Sequence, residues 1–451
     1  MRAAIYTLGC KVNQYETQAM EKLLTERGHT VTDFSREADA YIINTCSVTA
    51  VSGQKSRQAI RRARREHPGA VVAVCGCYAQ TAPEDVRALG VDLIAGTGDR
   101  AGFIALLEKA VAEQAGQEKM TERAGRERNG ETVTAIEALD HARERRNFEQ
   151  LPAGGMSGRT RAMLKVEDGC NNFCSYCIIP YARGPVRSEP LTEAVKQARE
   201  LAADGVKEIV LTGIEISSWG RDLRTEETLT DLTEALCGAV PGVRIRLGSL
   251  EPRTVTEDFC RRLAVMPNLC PQFHLSLQSG CDGTLKRMRR RYDTARYRES
   301  VNLLRAYFDR PALTTDLITG FPGETEAEFQ QTLAFIRECG FARMHIFPYS
   351  IRPGTPAAEM AQIEKSVKEE RAARANVIAA EMRAEYLAGC VGKRYEVLFE
   401  QERGGLFHGH APNYADVYAP GAGLHNQIRA VRIVSSDGES LRGELEPDAN
   451  A

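Results

Sequence analysis

The sequence lacks the hydrophobic runs that membrane proteins need. Across its 451 residues, no apolar stretch approaches the roughly 18 residues that a membrane-spanning helix requires. The opening segment MRAAIYTLGC turns to Gly9 and Cys10 after a very short apolar run, so it holds no signal-peptide core. We therefore expect a protein of the cytosol that does not enter a membrane.

The sequence also lacks an excess of charge of either sign. Lys and Arg number 59 against 61 Asp and Glu, which gives a formal net charge of −2. Any polyanionic partner must therefore be bound through a local basic patch. With 43% hydrophobic and 27% charged residues, the composition is that of a soluble globular protein. The length is sufficient for two or three domains with separate cores.

Thirteen cysteines do not form a disulfide framework in the reducing cytosol, so metal or catalytic roles are favoured. The strongest pattern is GCNNFCSYCIIP, which places Cys170, Cys174 and Cys177 in a C-x-x-x-C-x-x-C spacing after the expected strand RAMLKVE. Three thiolates on a cubane iron–sulfur cluster leave one iron for an exogenous ligand. A structural zinc site would need four protein ligands, and the following residues supply no matching pair.

Another group of cysteines, the first in chain order, follows the apolar strands of the N-terminal region. Cys10, Cys46 and either Cys75 or Cys77 each follow or end an expected strand. Because the carboxyl ends of parallel strands meet at one edge of a doubly wound sheet, three of these thiolates can converge there. Spacing alone does not choose between Cys75 and Cys77. The remaining cysteines have no partner at ligand spacing and are expected to be structural: Cys237, Cys260, Cys270, Cys281, Cys339 and Cys390.

The hydrophobic pattern predicts an α/β protein in three folded parts. Residues 1–113 alternate short apolar runs with helical patterns, which predicts a doubly wound, flavodoxin-like parallel sheet. Residues 114–155 are charged and lack periodicity, which is typical of a linker. From 156 to 348, six strand–helix units favour an open, partial (β/α)6 barrel, followed by a helix over about 363–388. The C-terminal part of the sequence has short strand patterns separated by glycine-rich turns, which predicts a small antiparallel barrel.

Together, TLGCKVNQYET, INTCSVTA, GCYAQ and GCNNFCSYCIIPYARG resemble the radical S-adenosylmethionine methylthiotransferases over nearly the whole chain. The resemblance implies a cluster-bearing N-terminal domain at 1–113, a linker at 114–155, a radical S-adenosylmethionine core at 156–385 and a TRAM-like, OB-like RNA-binding barrel at 386–451. It also favours Cys77 over Cys75, since GCYAQ matches a family motif. Cys77 is the choice that lies past the strand.

The resemblance implies two 4Fe–4S clusters and S-adenosylmethionine as cofactors. Cys170, Cys174 and Cys177 would be the catalytic trio that holds the radical-generating cluster, and Cys10, Cys46 and Cys77 would hold the other cluster. Tyr176 would pack near the adenine of the cofactor. Further contacts are expected at the carboxyl ends of the barrel strands, where a turn or cap role is an equally open alternative: Gly213, Glu215, Gln278, Ser279 and Asp316.

The segments GCKVNQYE, LKRMRRRY and HIFPYS resemble the branch of the family that modifies C2 of N6-threonylcarbamoyladenosine at position 37 of tRNA. This implies the tRNA anticodon stem-loop as partner, with a flavodoxin or ferredoxin as electron donor. The alternatives are the same chemistry on isopentenyladenosine or on a ribosomal-protein aspartate. From another class, the alternative is a non-catalytic RNA-binding protein with structural zinc.

Two basic runs and two aromatic residues are candidate RNA contacts. KSRQAIRRARR places Arg57, Arg61 and Arg65 on one helical face, although such runs are usually solvated surface. In the terminal barrel, Tyr414 and Tyr418 could stack on bases or belong to the core. The second run, a source of charge for phosphates or for the threonylcarbamoyl carboxylate, comprises Lys286, Arg287, Arg289, Arg290 and Arg291.

Overall fold

The computed structural model describes residues 1–124, 135–153 and 160–447. The chain divides into two compact units. The first is Met1–Gly155 with Asp168–Asn171 and Cys177–Arg187, and the second is Met156–Glu167 with Asn172–Tyr176 and Ser188–Ala451. Part of the expected linker, 125–134 and 154–155, lies outside the described residues. None of the helices in the described ranges is long and apolar enough to cross a bilayer.

The N-terminal region alternates strands and helices, as its hydrophobic pattern predicts. Its elements are β1 (Arg2–Thr7), α1 (Lys11–Glu26), β2 (Thr30–Thr32), β3 (Ala40–Thr45), α2 (Ala50–Glu66), β4 (Val71–Gly76), α3 (Cys77–Thr81), α4 (Pro83–Arg87), β5 (Leu93–Ala95), α5 (Arg100–Ala124) and β6 (Ile136–Ala138). Strand β6 and the last turns of α5 lie in the stretch expected to be a linker.

The sheet of this region has the order β2-β1-β3-β4-β5-β6, and its strands pair in parallel. β3 and β4 are buried along their whole length, as central parallel strands covered on both faces must be. Met20 of α1 and Phe103 of α5 pack on one face of the sheet. Ile60 and Ala63 of α2 pack on the other. The expected doubly wound, flavodoxin-like sheet is confirmed.

The central region contains the expected strand–helix units. Its elements are β7 (Arg161–Lys165), β8 (Glu167–Asp168), α6 (Ile179–Arg183), β9 (Arg187–Ser188), α7 (Leu191–Ala203), β10 (Glu208–Thr212), α8 (Leu229–Ala239), β11 (Arg244–Arg246), β12 (Ser249–Leu250), α9 (Glu257–Leu263), β13 (Gln272–Leu275), α10 (Asp282–Arg287), α11 (Thr294–Tyr307), β14 (Ala312–Thr319), α12 (Glu326–Cys339) and β15 (Arg343–Pro348).

The barrel strands form two parallel sheets, β11-β10-β7 and β12-β13-β14-β15. The segment RIRLGSL, expected as one strand, is broken into β11 and β12. At the break, a Cβ on Gly248 would lie 2.7 Å from the carbonyl oxygen of Leu211, so the chain passes too close to β10 for a side chain. Among the described strands, β7 and β15 are the two edges of the partial barrel.

The C-terminal region consists of a long helix and a small barrel. Its elements are α13 (Lys365–Ala388), β16 (Arg394–Arg403), β17 (Leu406–His410), β18 (Asp416–Ala419), β19 (Ile428–Ser436) and β20 (Leu441–Leu445). The strands close in the order β16-β17-β18-β20-β19, around a core that includes Val397, Phe407 and Val431. The small barrel is confirmed, with one difference: β18 and β20 pair in parallel.

Candidate functional site

The structure brings Cys10, Cys46 and Cys77 to the carboxyl ends of the neighbouring strands β1, β3 and β4. Cys10 caps the start of α1, Cys46 directly follows β3, and Cys77 is the first residue of α3. Burial, with smaller contributions from the nearby Cys10 and Cys46, raises the pKa of the Cys77 thiol to about 12. Cys75 instead packs in the core against Met20 and its neighbours. Cys77, rather than Cys75, therefore faces the other two thiols.

Two glycines allow the strand ends to approach closely. A Cβ on Gly9 would lie 2.7 Å from the Cβ and 2.8 Å from the Sγ of Cys46, at a φ of +108°. A Cβ on Gly76 would lie 2.5 Å from the carbonyl oxygen of Thr45, at a φ of +98°. Both positions combine a backbone conformation that favours glycine with a space too small for a side chain.

Two asparagine side chains connect these loops through hydrogen bonds. The Asn13 Nδ2 donates to the carbonyl oxygens of Leu8 and Thr45, at 2.8 and 2.9 Å. In return, the Asn44 Nδ2 donates to the backbone carbonyl of Asn13 at 3.0 Å. The loops that carry Cys10 and Cys46 are thus tied to each other by side chains within α1 and β3.

A buried ionic network lies beside this first group of cysteines. The Arg183 guanidinium donates to Glu16 Oε1 at 2.7 Å and to Asn13 Oδ1 at 2.8 Å. Arg100 donates to the other oxygen of Glu16 at 2.8 Å. The charge of Arg183 also acts on Cys77, where it opposes the rise in pKa that burial causes. The arrangement places a buried cation close to three thiols that a metal cluster would deprotonate.

The second trio consists of Cys170, Cys174 and Cys177, and its loop is divided between the two units. Cys170 and Cys177 group with the first unit, whereas Cys174 groups with the second. Within the first unit, the backbone N–H of Cys170 donates to the carbonyl of Gly184 at 3.0 Å. A Cβ on Gly169, at a φ of +87°, would lie 2.0 Å from the carbonyl oxygen of Pro185. The start of this loop is therefore packed tightly on the segment that follows α6.

Within the second unit, Cys174 accepts a hydrogen bond from a residue of the basic run. The Nη1 of Arg290 lies 3.3 Å from the Cys174 Sγ, and its Nε donates to the Tyr292 hydroxyl at 3.1 Å. Ser175 is anchored as well, since its hydroxyl donates to the carbonyl of Arg287 at 2.8 Å. The sequence indicated only a basic surface here, because no local pattern showed which arginine turns inward.

The other arginines of this run differ in their surroundings. Arg287 forms an ion pair with Glu328 at 2.7 Å. Arg289 and Arg291 are exposed and line a small cleft together with Asn172 and Cys174. The cleft therefore joins a cysteine of the second trio to two exposed arginines.

Three of the expected S-adenosylmethionine contacts lie near the start of the barrel. Tyr176 packs edge-on against Phe321, with 6.4 Å between ring centroids. A Cβ on Gly213 would lie 2.7 Å from Glu167 Oε2, and the same oxygen accepts the backbone N–H of Glu215 at 2.7 Å. Burial raises the pKa of the Glu215 carboxyl group. Glu167, which the sequence analysis missed, thus organises the loop after β10.

The other three expected contacts lie after β13, at Gln278 and Ser279, and within β14, at Asp316. Gln278 has a φ of +66°, and its backbone N–H donates to the carbonyl of Asp316 at 2.9 Å. The Asp316 carboxylate lies 3.4 Å from His274 Nε2. Ser279 is fully buried, and its hydroxyl lies 3.3 Å from the Thr332 hydroxyl of α12. Gln278 and Asp316 therefore lie together, whereas the Ser279 side chain is held by a helix behind the strands.

Both tyrosines considered for base stacking contact protein groups. The Tyr414 hydroxyl accepts from Arg161 at 2.9 Å, and its ring stacks on His410 with 4.7 Å between centroids. The guanidinium of Arg442 lies 4.6 Å from the ring centroid of Tyr418. Tyr414 is half-buried among these groups.

Only some of the arginines on the basic face of α2 contact other groups of the protein. Arg57 donates to the Tyr78 hydroxyl at 3.2 Å, and Arg65 pairs with Glu66 at 3.1 Å. Arg61 and Arg65 are exposed, as expected for a solvated helix face.

Comparison with known proteins agrees with these features. The profile of the radical SAM superfamily matches residues 164–336, and that of an uncharacterised protein family, UPF0004, matches residues 2–96. The chain is 39% identical over 442 residues to the threonylcarbamoyladenosine tRNA methylthiotransferase MtaB of Bacillus subtilis, which covers 96% of this chain and 94% of that protein. The protein of the same name from Aquifex aeolicus is 35% identical over 425 residues, covering 93% and 97%.

More distant similarities follow the same architecture. The tRNA-2-methylthio-N(6)-dimethylallyladenosine synthase of Streptomyces viridosporus is 34% identical over 411 residues, which cover 89% of this chain and 77% of that protein. Among solved structures, the radical S-adenosylmethionine methyltransferase TsrM of Kitasatospora setae, with cobalamin and a 4Fe–4S cluster bound, aligns with a TM-score of 0.54 at 16% identity, covering 90% of this chain and 80% of that chain. At that identity the likeness concerns the fold.

Proposed function

The chain belongs to the radical S-adenosylmethionine methylthiotransferases, and we propose that it transfers a methylthio group to C2 of N6-threonylcarbamoyladenosine at position 37 of tRNA. The observation that carries the proposal is the presence of two separate cysteine trios, in a chain whose relatives over nearly its full length bear this activity in their names. The dimethylallyladenosine synthase of Streptomyces viridosporus, at 34% identity, is less similar than the Bacillus subtilis threonylcarbamoyladenosine enzyme at 39%, and a zinc-containing RNA-binding protein is not favoured.

The residues fit two clusters. Cys10, Cys46 and Cys77 meet at one sheet edge, where Gly9 leaves no side chain between the loops. We assign these three to the first cluster, and Cys170, Cys174 and Cys177 of the C-x-x-x-C-x-x-C loop to the second. When bound, the second cluster supplies the electron that cleaves S-adenosylmethionine, and the first provides a site for the sulfur to be transferred.

The protein groups around these cysteines bind and orient the cysteine side chains. The Arg290 guanidinium donates to Cys174 and would offset negative charge on this ligand in a bound cluster. The Arg183 side chain, held by Glu16, has the same electrostatic effect on Cys77.

We place S-adenosylmethionine at the carboxyl ends of the barrel strands. Gly213 supports this assignment, because the loop passes so close to Glu167 that a side chain would not fit. Gln278, which follows β13, supports it by pairing with Asp316 of the neighbouring strand β14. Glu215 lies in the loop after β10, and Tyr176 packs against Phe321, which follows β14. Ser279 is assigned only through its backbone, since its hydroxyl is occupied by contacts within the protein.

The substrate is tRNA, and we propose that the anticodon stem-loop is the part that enters the site. Exposed Arg61, Arg65, Arg289 and Arg291 offer cations for its phosphates. We further propose a flavodoxin or ferredoxin as the electron donor and the cytoplasm as the location of the reaction. In this scheme residues 1–113 bind the first cluster, and residues 114–155 link them to the radical core at 156–385. Residues 386–451 form the RNA-binding barrel.

Nucleoside mass spectrometry of tRNA from cells that lack the gene tests the substrate. We expect loss of the methylthio form of threonylcarbamoyladenosine, with the methylthio form of isopentenyladenosine unchanged. Restoration by the wild-type gene, but not by a Cys174→Ala variant, ties the loss to this enzyme. The opposite pattern of nucleosides would refute the substrate assignment.

A further inference from the structure

The C-terminal barrel carries a cluster of metal-ligating side chains that the proposed reaction does not use. His408 and His410 lie two residues apart on β17, so their side chains project to the same face. Asp416 of β18 is paired directly with His410, which places it on that face as well. The alternate residue Phe407 points into the barrel core. The three side chains therefore meet on the outer face of the barrel.

The ligand atoms of these side chains lie at distances suited to one metal ion. The Asp416 Oδ1 is 3.0 Å from His408 Nε2 and 3.4 Å from His410 Nε2. Two ligands bound to one Zn²⁺ at its usual bond lengths are about 3.0 to 3.4 Å apart. The imidazoles of His408 and His410 are buried, while the side chain of Asp416 keeps 27% exposure. A water molecule can therefore reach a fourth position.

Charged groups around the cluster orient its ligands. The Glu400 Oε2 lies 3.5 Å from His410 Nδ1, and Arg383 Nη2 lies 3.8 Å from the second carboxylate oxygen of Asp416. Histidines that bind a metal through one ring nitrogen usually present the other to a carboxylate. Glu400 and His410 show this arrangement. Arg383 leaves Oδ1 of Asp416 facing the two imidazoles.

We propose that His408, His410 and Asp416 bind a divalent transition-metal ion, with Zn²⁺ as the ion that two imidazoles and one carboxylate suit best. The ion would connect β17 to β18 on the outer face of the barrel. Its donor set contains no sulfur, so it is chemically distinct from both cysteine trios.

Zinc uptake by the cluster-loaded protein tests this proposal. Equilibrium dialysis against Zn²⁺, with iron and zinc both quantified, should give one zinc per chain in addition to about eight irons. Loss of an outer partner alone weakens metal binding by about 10- to 100-fold, so Asp416→Asn and His408→Gln should raise the Kd for zinc by more than about 100-fold while iron is retained. The control His141→Gln changes an exposed histidine outside this barrel and should bind zinc as wild type does.

Zinc-edge X-ray absorption of the wild-type protein needs no variant and so remains decisive if the substitutions disrupt folding. We expect nitrogen and oxygen ligands at about 2.0 to 2.2 Å, with the multiple scattering of two imidazoles. Sulfur ligands at about 2.3 Å, no zinc in iron-loaded wild type, or equal zinc binding by wild type and Asp416→Asn would each overturn the proposal.

Discussion

Arg183 and Glu16 form an ion pair of 2.7 Å although 167 residues separate them in the sequence, and both side chains are fully buried. Glu16 belongs to the helix that begins after Cys10, and Arg183 follows Cys177 by six residues. Arg100 binds the same carboxylate, and Asp168 lies 3.1 Å from Arg183. The segment that follows the second cysteine motif is thereby fixed beside the first group of cysteines.

Replacing Glu16 by Gln removes the anion that two buried guanidinium groups share. Because an unpaired buried charge is costly, we expect the free energy of unfolding to fall by about 3–5 kcal/mol, measured by anaerobic denaturant unfolding. The matched control is Glu108→Gln, whose partners Arg27 and His29 are partly exposed, with an expected loss of less than about 1 kcal/mol. Equal losses for the two variants would contradict the role of the buried network.

The choice between Cys75 and Cys77 can be tested through iron content. Cys77 faces Cys10 and Cys46, whereas Cys75 is packed in the apolar core. After anaerobic reconstitution, Cys77→Ala should therefore lose about four of about eight irons per chain, and Cys75→Ala should retain them. Loss of iron from Cys75→Ala alone, with its fold intact by circular dichroism, would reverse the assignment.

The two trios should separate cofactor cleavage from sulfur insertion. With a chemical reductant, Cys174→Ala should produce no 5′-deoxyadenosine, because the cluster that cleaves S-adenosylmethionine lacks a ligand. Cys46→Ala should still produce it but yield no methylthio nucleoside in tRNA. Chromatography of both products from one reaction makes the comparison. Full deoxyadenosine formation by Cys174→Ala would rule out the assignment of roles.

The fold was predictable from the sequence because its elements are strongly patterned. β3 and β4 are continuous apolar runs, and the barrel strands are separated by amphipathic helices, so hydrophobic periodicity identified the parallel sheets. Strand β6 was missed because three residues, Ile136–Ala138, in a charged stretch carry no periodicity. The parallel pairing of β18 with β20 was missed because it depends on closure of the barrel, which is a tertiary property.

The candidate site was predictable where chemistry sits in short motifs and unpredictable where it depends on contacts between distant segments. Cysteine spacing and strand ends predict both trios, and the structure brings Cys10, Cys46 and Cys77 to neighbouring strand ends. In contrast, nothing near Arg290 in the sequence distinguishes it from its exposed neighbours, and its contact with Cys174 joins residues 116 positions apart. Ser279 was expected to face the cofactor, but its side-chain direction is set by packing against α12.

Burial of Glu189 should make stability depend on pH. Burial raises the pKa of this carboxyl group from 4.5 to about 8, so the folded state favours its protonated form. The resulting stabilisation is complete below about pH 4.5 and is lost as the pH rises through 8. Glu189→Gln cannot titrate, and its unfolding free energy should fall less than that of wild type between pH 5 and 8.5. The exposed Glu200 of α7 provides the control, Glu200→Gln, which should follow the wild type; a parallel fall in Glu189→Gln would contradict the prediction.

Arg289 and Arg291 should decide recognition of the modified base. Both are exposed and line the cleft beside Cys174, and a threonylcarbamoyl group carries a carboxylate that needs a cationic partner. Because hydrogen bonds to charged groups contribute about 1.5–3 kcal/mol, Arg289→Gln or Arg291→Gln should weaken binding of tRNA bearing threonylcarbamoyladenosine by about 10- to 100-fold. Binding of the same tRNA with unmodified adenosine at position 37 should change little, as should both affinities in the control Arg298→Gln, whose partner is Glu338. If both tRNAs lose affinity equally and the salt dependence becomes shallower, these arginines contact phosphates instead.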